Sequence, residues 1–456
     1  MKAEALFEVV RRDGRAYVAR RADGQLLAAL TRLEAVILKA FEGGISAGEA
    51  ARLFGPSLGG DADSVISRVE SRFDALLKPG RGIAVADDLE GLLEHDPSAA
   101  RALGLREHTG PRVLHWCVTR YCPRRCVYCY AEPLLGGRAS DAVITREELN
   151  GIFAEAVTLG AEHLLVAGSE PFLRRDVPEI MGDALANGLT PFVTTKHPIT
   201  SDLASRLALA GVRHISLSVD SMSPGASMLL IGSDKYPGQV RRSVQNLKRA
   251  GVEFSVQAVV TAFNREDMRE VARFAAESGA RVMQVVPFEP VRRPITDYGN
   301  DEMAAQDIES LGALVEQLSE QHPGLQCELF EKLGSGERAA YNCDIGMTKM
   351  FFLPDGVVHR CYKLIDDSGL TGKDLRRCSV AAAWHDPDFG LKISPPKKAY
   401  AASACGGCAR FDGCHEEGRC IYQALFTHED YLAPDRSCEG PFAPAPQPQS
   451  LVSIRR

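Results

Sequence analysis

The chain has 456 residues, 45% of them hydrophobic and 25% charged, a composition typical of a globular protein of about three domains. A net charge of −7 and the lack of a basic segment argue against nucleic acid as the main partner. No apolar run reaches the roughly 20 residues of a membrane span, and the first residues lack a signal-peptide pattern, so we expect a cytoplasmic protein without a membrane partner. The 13 cysteines then indicate metal or redox chemistry rather than disulfides.

The first part of the chain predicts a small domain of strands followed by helices. Turn residues separate strands over 6–10, 17–20 and 26–30, and helices over 31–41, 46–53 and 63–77 come next. We assign this domain to residues 1–95 and a linker to 96–110. The order resembles the winged-helix-like peptide-chaperone domain of pyrroloquinoline quinone biosynthesis, which recurs in enzymes that modify ribosomal peptides. That resemblance implies that a leader peptide adds a strand to an exposed sheet edge; the alternative is a domain that only packs on the rest of the chain.

Three cysteines follow the next apolar run, 113–118, at the spacing C-x3-C-x2-C. They are Cys122, Cys126 and Cys129, and Tyr128 precedes the last of them. Three thiolates can hold three irons of a four-iron cluster and leave the fourth iron open. The motif resembles that of the radical S-adenosylmethionine (SAM) superfamily, which implies that the open iron binds SAM and that reduction yields a 5′-deoxyadenosyl radical. Tyr128 would then lie in the cofactor site. A zinc site, usually built from C-x2-C pairs, and chance spacing are the alternatives.

From residue 113 onward, strand and helix patterns alternate through six repeats. The predicted strands are 113–118, 163–167, 191–195, 215–219, 254–260 and 282–286. The predicted helices are 145–159, 177–186, 201–209, 239–250, 265–278 and 303–321. Branched apolar strands joined through helices indicate a parallel sheet in an α/β fold. Six repeats fall short of a closed eight-stranded barrel, and the resemblance implies a partial (β/α)6 radical SAM barrel over 111–322, with its chemistry at the carboxyl ends of the strands.

The segment after the second strand carries a motif of the same family. Gly168, Ser169 and Glu170 form a variant of its Gly-Gly-Glu-Pro motif, and the resemblance implies that these three residues bind the SAM ammonium group. Lys196 follows the third strand and is assigned to the cofactor site as well. The arginine that often binds the SAM carboxylate after the fourth strand is missing, and Lys235 is the candidate substitute.

Polar residues alternate along the fourth strand. Ser216, Ser218 and Asp220 are therefore expected to face the barrel interior. The resemblance implies that Ser218 contacts SAM, and we assign Asp220 as a catalytic candidate. A buried polar layer that is satisfied internally is the alternative for Ser216 and Asp220.

Seven of the nine cysteines in the segment 323–440 have a definite arrangement. Their positions are Cys343, Cys361, Cys405, Cys408, Cys414, Cys420 and Cys438. The spacing resembles the SPASM domain, which implies two auxiliary [4Fe–4S] clusters and three clusters in all. One would be held by Cys405, Cys408, Cys414 and Cys438, the other by Cys343, Cys361 and Cys420. The fourth position of the second cluster is left to Cys327, Cys378, a non-cysteine ligand or open iron. The Cys414–Cys420 spacing is longer than in the family pattern. A pair of zinc sites is the alternative.

Tyr362 follows the second SPASM-type cysteine, where sulfatase-maturing and quinone-forming relatives have an aspartate that acts as a base. A sulfatase-maturase activity is therefore disfavoured, and Tyr362 is a catalytic candidate for proton or electron transfer. The proline-rich tail, 441–456, is predicted to be disordered.

These resemblances together imply a radical SAM peptide maturase. Its substrate would be a ribosomally made precursor peptide with a leader, modified by crosslinking, epimerisation or a related C–H functionalisation. A flavodoxin or ferredoxin-type protein would donate the electrons. The alternatives are the same chemistry on a small molecule or a folded protein, and an iron–sulfur electron-transfer protein that does not turn over SAM.

Overall fold

The computed structural model separates the chain into two compact units. The described residues are 7–12, 15–20, 26–30, 32–42, 45–58, 66–67, 69–70, 110–129, 143–288, 308–330, 343, 345–365, 367–393, 395, 397–411, 419–435 and 438. Unit 1 contains Met1–Arg112, Cys343–Met350 and Gly369–Ala443, and unit 2 contains Val113–Asn342, Phe351–Ser368 and Pro444–Arg456. Among the described helices, none combines the length and apolar character needed to cross a bilayer.

The elements are numbered in chain order. The strands are β1 (Phe7–Arg12), β2 (Arg15–Arg20), β3 (Leu26–Leu30), β4 (Val113–Cys117), β5 (His163–Ala167), β6 (Thr190–Thr195), β7 (His214–Ser218), β8 (Glu253–Val260), β9 (Val282–Pro287), β10 (Gln326–Leu329), β11 (Lys349–Phe352), β12 (Val357–His359) and β13 (Thr371–Asp374). The helices are α1 (Arg32–Glu42), α2 (Ala47–Leu58), α3 (Arg146–Thr158), α4 (Val177–Ala186), α5 (Ser201–Leu209), α6 (Pro224–Ile231), α7 (Tyr236–Ala250), α8 (Met268–Ser278), α9 (Ile308–Gln321), α10 (Val380–Trp384), α11 (Pro387–Ile393) and α12 (Ile421–His428).

Unit 1 begins with the predicted strands and helices. The strands form an antiparallel sheet in the order β1-β2-β3, and α1 and α2 pack beside it. A compact core joins the sheet to the helices through Val18, Ile37, Leu38, Ala50, Ile66 and Val69. Residues 66–67 and 69–70 are helical, as predicted for a third helix. The rest of that helix, the proposed linker up to residue 109, and the tail lie outside the described residues.

Unit 2 contains the predicted parallel sheet. Strands β4 to β9 lie side by side in chain order, and every neighbouring pair is parallel. The predicted bounds of 163–167, 177–186 and 201–209 match β5, α4 and α5. Left-handed glycines end several helices, as Gly251 does after α7 with φ 70°. The repeating βα pattern and the open sheet confirm the predicted α/β class.

Several elements of unit 2 were not predicted. The short strands β11 and β12 continue the sheet beyond β4. Strand β10 pairs in parallel with β9 and adds a strand at the other end of the sheet. Its four residues include Gln326 and Glu328 and therefore lack the branched apolar run of the other strands. Helix α6 begins at the cap residue Ser223 and buries Ser227, Leu230 and Ile231. Because its apolar residues lie together without helical spacing, the sequence showed no periodic pattern there.

Candidate functional site

The candidate site lies where neighbouring strands of the parallel sheet end. The cysteine loop follows β4, Gly168–Glu170 follow β5, Lys196 follows β6, and Asp220 follows β7. In a parallel sheet all carboxyl ends lie at one edge, where the intervening loops and helix N-termini meet. The topology therefore brings together residues that are far apart in the sequence.

The cysteine loop is fixed by backbone hydrogen bonds to α6. Val127 N donates to Leu230 O at 3.0 Å, and Arg125 N donates to Ile231 O at 3.5 Å. Cys126 is buried between these contacts, whereas Cys122 and Cys129 are partly exposed. The unpredicted helix α6 therefore supports the cysteine loop.

The three thiols influence one another electrostatically. Burial raises the pKa of Cys126 to about 12; the Lys196 ammonium opposes this rise, and thiolates at Cys129 and Cys122 add to it. Burial likewise raises the pKa of Cys122. Without a metal Cys122 and Cys126 stay protonated at neutral pH, whereas coordination by a cation would deprotonate them.

The donor set of this loop fits an iron–sulfur cluster. Cys122, Cys126 and Cys129 place three thiols on one short loop. Three thiolates can hold three irons of a four-iron cluster and leave the fourth iron open.

The Gly168–Glu170 segment forms a cradle beside this loop. Gly168 has φ 111°, and a Cβ atom built on it would lie 2.9 Å from Thr119 O and 3.1 Å from Val118 N. Ser169 Oγ and Ser216 Oγ are buried without a hydrogen-bond partner among the described residues. A buried hydroxyl without a partner is costly, so these two hydroxyls fit a polar ligand such as SAM, while Gly168 allows close packing on the backbone that follows β4.

Glu170 is a buried carboxylate with three hydrogen-bond donors around it. Thr195 Oγ1 donates to Oε1 at 2.6 Å, Phe172 N donates to the same oxygen at 3.4 Å, and Lys196 N donates to Oε2 at 3.1 Å. Burial raises the pKa of Glu170, and these hydrogen bonds oppose the rise. An ionised carboxylate accepts about four hydrogen bonds, so Glu170 keeps capacity for one donor from a ligand.

A second buried network joins the cysteine loop to β6 and β7. Tyr128 Oη donates to Asp220 Oδ2, which also lies 3.1 Å from Lys196 Nζ. Lys196 Nζ donates to Ser218 Oγ as well. Burial and the neighbouring carboxylate raise the pKa of Tyr128 well above its ordinary value, which keeps the phenol protonated as a donor. The structure thus links Tyr128, Lys196, Ser218 and Asp220, which were predicted separately.

Backbone contacts hold Asp220 in this position. Val259 N donates to Asp220 Oδ1 at 2.9 Å, and Asn264 Nδ2 donates to Asp220 O at 2.8 Å. Tyr236 Oη donates to Ser218 O at 2.6 Å, and the Arg124 guanidinium lies 4.9 Å from the centre of the Tyr236 ring.

Sequence reasoning missed several supporting residues of this site, namely Arg124, Thr195, Tyr236 and Asn264. Only their places beside strand ends, or next to a motif cysteine, could have pointed to them. Lys235, the candidate substitute for an arginine, is exposed at the start of α7. Its assignment to SAM stays a prediction.

Tyr362 lies in a different environment of unit 2. Its ring centre is 5.6 Å from that of His115 on β4 and 6.2 Å from that of Phe351 on β11. Lys363 Nζ lies 5.8 Å from the Tyr362 ring centre. Tyr362 thus belongs to an aromatic group beside β4, apart from the network of Tyr128 and Asp220, and its catalytic role stays a prediction.

The C-terminal cysteines are held mainly by short turns within unit 1. Cys408 N donates to Cys405 O at 3.1 Å. Asp435 joins two other segments, because its side chain accepts from Cys420 N at 3.0 Å and its carbonyl accepts from Cys438 N at 3.1 Å. The four-cysteine set stays a prediction, since Cys414 lies outside the described residues.

The second predicted set also stays untested. Cys343 and Cys420 belong to unit 1 and Cys361 to unit 2. Of the candidates for its fourth position, Cys378 Sγ donates to Asp374 O at 3.3 Å, and Cys327 is buried on β10.

Comparisons with known proteins agree with this geometry. Residues 116–275 match the model of the Radical SAM superfamily. The PqqA peptide cyclase of Rhizobium meliloti (strain 1021) is 26% identical over 342 residues, which cover 70% of this chain and 85% of the relative. The AdoMet-dependent heme synthase of Methanosarcina barkeri (strain Fusaro) is 26% identical over 205 residues, or 44% of this chain and 56% of the relative.

Solved structures show a similar fold. Streptococcus suis SuiB bound to S-adenosylmethionine superposes with a TM-score of 0.58 at 16% identity, covering 95% of this chain and 99% of SuiB. Native anSMEcpe with bound AdoMet gives a TM-score of 0.52 at 15% identity, covering 72% of this chain and 94% of that protein.

Proposed function

We propose that this chain, which carries a radical SAM domain over residues 116–275, is an enzyme that modifies a ribosomally made precursor peptide. The observation that carries the chemistry is the Cys122–Cys129 loop at the strand ends, directly beside the Gly168–Glu170 cradle. When bound, the iron–sulfur cluster and SAM supply a 5′-deoxyadenosyl radical for hydrogen abstraction. The remaining tasks fall to the protein's own residues.

Binding and orientation are the tasks of the cradle. Gly168 lets the end of β5 pack closely against the backbone of Val118 and Thr119, and Glu170 offers a buried carboxylate to the ammonium group of SAM. Ser169 and Ser216 supply hydroxyls that gain a partner when the ligand enters. Cys122, Cys126 and Cys129 hold the cluster through their thiolates.

Two auxiliary clusters in the C-terminal cysteine segment would accept an electron from the substrate or bind a substrate thiolate. Cys405, Cys408, Cys414 and Cys438 are the proposed ligands of one, and Cys343, Cys361 and Cys420 of the other. Hydrogen bonds around these cysteines would tune the clusters. A flavodoxin or ferredoxin-type protein would deliver the electrons that start each turnover.

A peptide substrate is supported by the relatives and by the N-terminal sheet. One relative is named a PqqA peptide cyclase, and SuiB has been solved bound to its precursor peptide SuiA. In unit 1, β1 and β3 are the outer strands of a three-stranded sheet. Val9 N on β1 donates to Glu42 Oε2 at 3.1 Å, so α1 already covers part of that edge. We therefore assign the docking of a leader to the β3 edge.

The chemistry is tested by anaerobic reconstitution. Reduction with dithionite in the presence of SAM should release 5′-deoxyadenosine, and iron analysis should give about twelve irons per chain for three four-iron clusters. Absence of 5′-deoxyadenosine from a fully loaded sample would favour an electron-transfer protein. About four irons would contradict the two auxiliary sites.

The substrate class is tested by hydrogen exchange. A peptide encoded by a short reading frame beside this gene should slow the exchange of amides 26–30 on β3 when it is added to the full chain. The amides of β1 serve as the internal comparison and should change less. Equal exchange with and without peptide would favour a small molecule or a folded protein as substrate.

A further inference from the structure

A buried positive charge lies next to the cysteine loop. The Lys196 side chain is only 12% exposed, and its partner Asp220 is 2% exposed. The ammonium contacts Asp220 and Ser218, and it stands 5.4 Å from the centre of the Tyr128 ring. Burial alone lowers the pKa of Lys196, but the Asp220 carboxylate, 3.1 Å from Nζ, raises it above its ordinary value. Lys196 therefore carries its charge at neutral pH.

The same ammonium lies beside the cysteine loop. It stands over the ring of Tyr128, which lies between Cys126 and Cys129 in the sequence. The Lys196 backbone is tied to the same loop, because the Arg124 guanidinium donates to Lys196 O at 3.3 Å. In a buried site the field of such a charge is weakly screened by solvent.

The partners of Lys196 leave it poorly placed to bind a ligand carboxylate. An ammonium group has three hydrogens to donate, and here Asp220 and Ser218 each accept one. The face of the Tyr128 ring attracts the remaining positive charge. This arrangement favours an indirect role over the direct contact with SAM that the sequence suggested.

We propose that Lys196 is a fixed cation that makes the cluster held by Cys122, Cys126 and Cys129 easier to reduce, and that Asp220 positions it while partly cancelling its charge. The inference rests on the proposed function, because it assumes that this loop binds a cluster. Reduction adds negative charge to the site, and a nearby cation stabilises the reduced form. Hydrogen bonds from Tyr128 and Val259 hold Asp220, so the distance between the two charges is set by the fold.

The test is a redox titration of the reconstituted full-length protein, in which electron paramagnetic resonance monitors the reduction of each cluster. The relevant signal is the one lost in the Cys122→Ala/Cys126→Ala/Cys129→Ala variant. Lys196→Met should shift its midpoint potential to a more negative value, and Asp220→Asn should shift it to a more positive one. Lys196→Arg should keep the potential close to that of the parent, because the charge is retained. Lys248→Met, at an exposed lysine on α7, is the matched control and should cause no shift.

The opposite signs of the two shifts in midpoint potential distinguish an electrostatic effect from structural damage. Structural damage would shift the potentials of both variants in the same direction. Shifts of one sign for Lys196→Met and Asp220→Asn would overturn the inference. So would a Lys196→Met variant that keeps its potential but binds SAM more than tenfold more weakly, since that would make Lys196 a direct ligand of SAM. If the triple cysteine variant kept the full iron content and every signal, the proposed function itself would fail.

Discussion

The two cysteine-rich regions of this chain are built in different ways. The Cys122–Cys129 loop follows a buried strand and is fixed by α6 and by the buried Tyr128–Asp220 contact. In the described part of the Cys405–Cys438 segment, Cys408 N and Cys438 N close short turns, and Asp435 accepts from Cys420 N at the start of the short helix α12. The first region takes its shape from a parallel sheet with a buried apolar core.

This difference concerns where the folding free energy comes from. Long apolar strands and helices bury enough surface to organise a site before its cofactor arrives. A segment of turns and short helices buries less, and metal binding can then supply folding free energy directly. We expect metal to complete the first region and to stabilise the second.

The largest expected effect comes from removing a thiolate from the first region. Cys126→Ala should abolish release of 5′-deoxyadenosine and lower the iron content by about four atoms per chain. The fold should persist, because the sheet does not depend on the cluster. Iron analysis, product assay and circular dichroism measure these outcomes.

Cys117→Ala is the matched control for that variant. Cys117 is buried at the end of β4, and burial raises the pKa of its thiol to about 12. The Cys117→Ala variant should keep the full iron content. Product formation by Cys126→Ala at the parent rate would show that this loop does not hold the reactive cluster.

The next largest effect is expected from removal of metal, which should affect the stability of the two regions differently. In iron-free protein, amides over 397–435 should lose protection from hydrogen exchange, whereas amides of β5 to β8 should keep it. The physical reason is that no sheet or long helix organises the described part of the C-terminal segment. Equal protection in both regions without iron would contradict the comparison.

The same difference explains what could be predicted from the sequence. Branched apolar runs and glycine stops identified β4 to β9 and most of their helices, because each signal is local. Strand β10 was missed because it alternates polar residues, and α6 because its apolar residues have no helical spacing. Both elements owe their place to partners that are distant in sequence.

The candidate site was predicted only as separate motifs. Tyr128, Lys196 and Asp220 were singled out, but their mutual contacts join residues up to 92 positions apart. Arg124 and Tyr236 gave only a weak positional signal, since one is an ordinary loop arginine and the other begins a helix. Pairings of this kind depend on the register of neighbouring strands, which a single sequence does not reveal.

A smaller effect is expected from a substitution that forces the backbone at Gly168 to shift. Gly168→Ala would bring a Cβ atom within 2.9 Å of Thr119 O at a φ of 111°, so the backbone must shift at a cost of about 1–3 kcal/mol. SAM binding, measured by calorimetry on the loaded protein, should weaken by about tenfold or more. The iron content should not change.

Gly151→Ala provides the control for the glycine substitution. Gly151 lies within α3, and no atom stands within 4 Å of a Cβ built there. Alanine should stabilise that helix by about 0.5–1 kcal/mol and leave SAM affinity unchanged. Equal SAM affinity in the Gly168→Ala variant would argue against a ligand in the cradle.

The smallest expected effects come from helix caps, one in each compact unit. Thr145 caps α3 in unit 2, where its hydroxyl accepts from Glu148 N at 3.1 Å, and Ser379 caps α10 in unit 1, where its hydroxyl accepts from Ala382 N at 3.0 Å. In the fully loaded protein, either alanine substitution should lower the free energy of unfolding by about 1 kcal/mol, measured by denaturant unfolding. In iron-free protein Thr145→Ala should keep its cost, because the sheet still holds α3. Ser379→Ala should keep its cost as well, because α10 lies outside the segment 397–435 and buries Val380, Ala383 and Trp384. A Ser379→Ala penalty that falls in iron-free protein would mean that the metal-dependent part of unit 1 extends to α10.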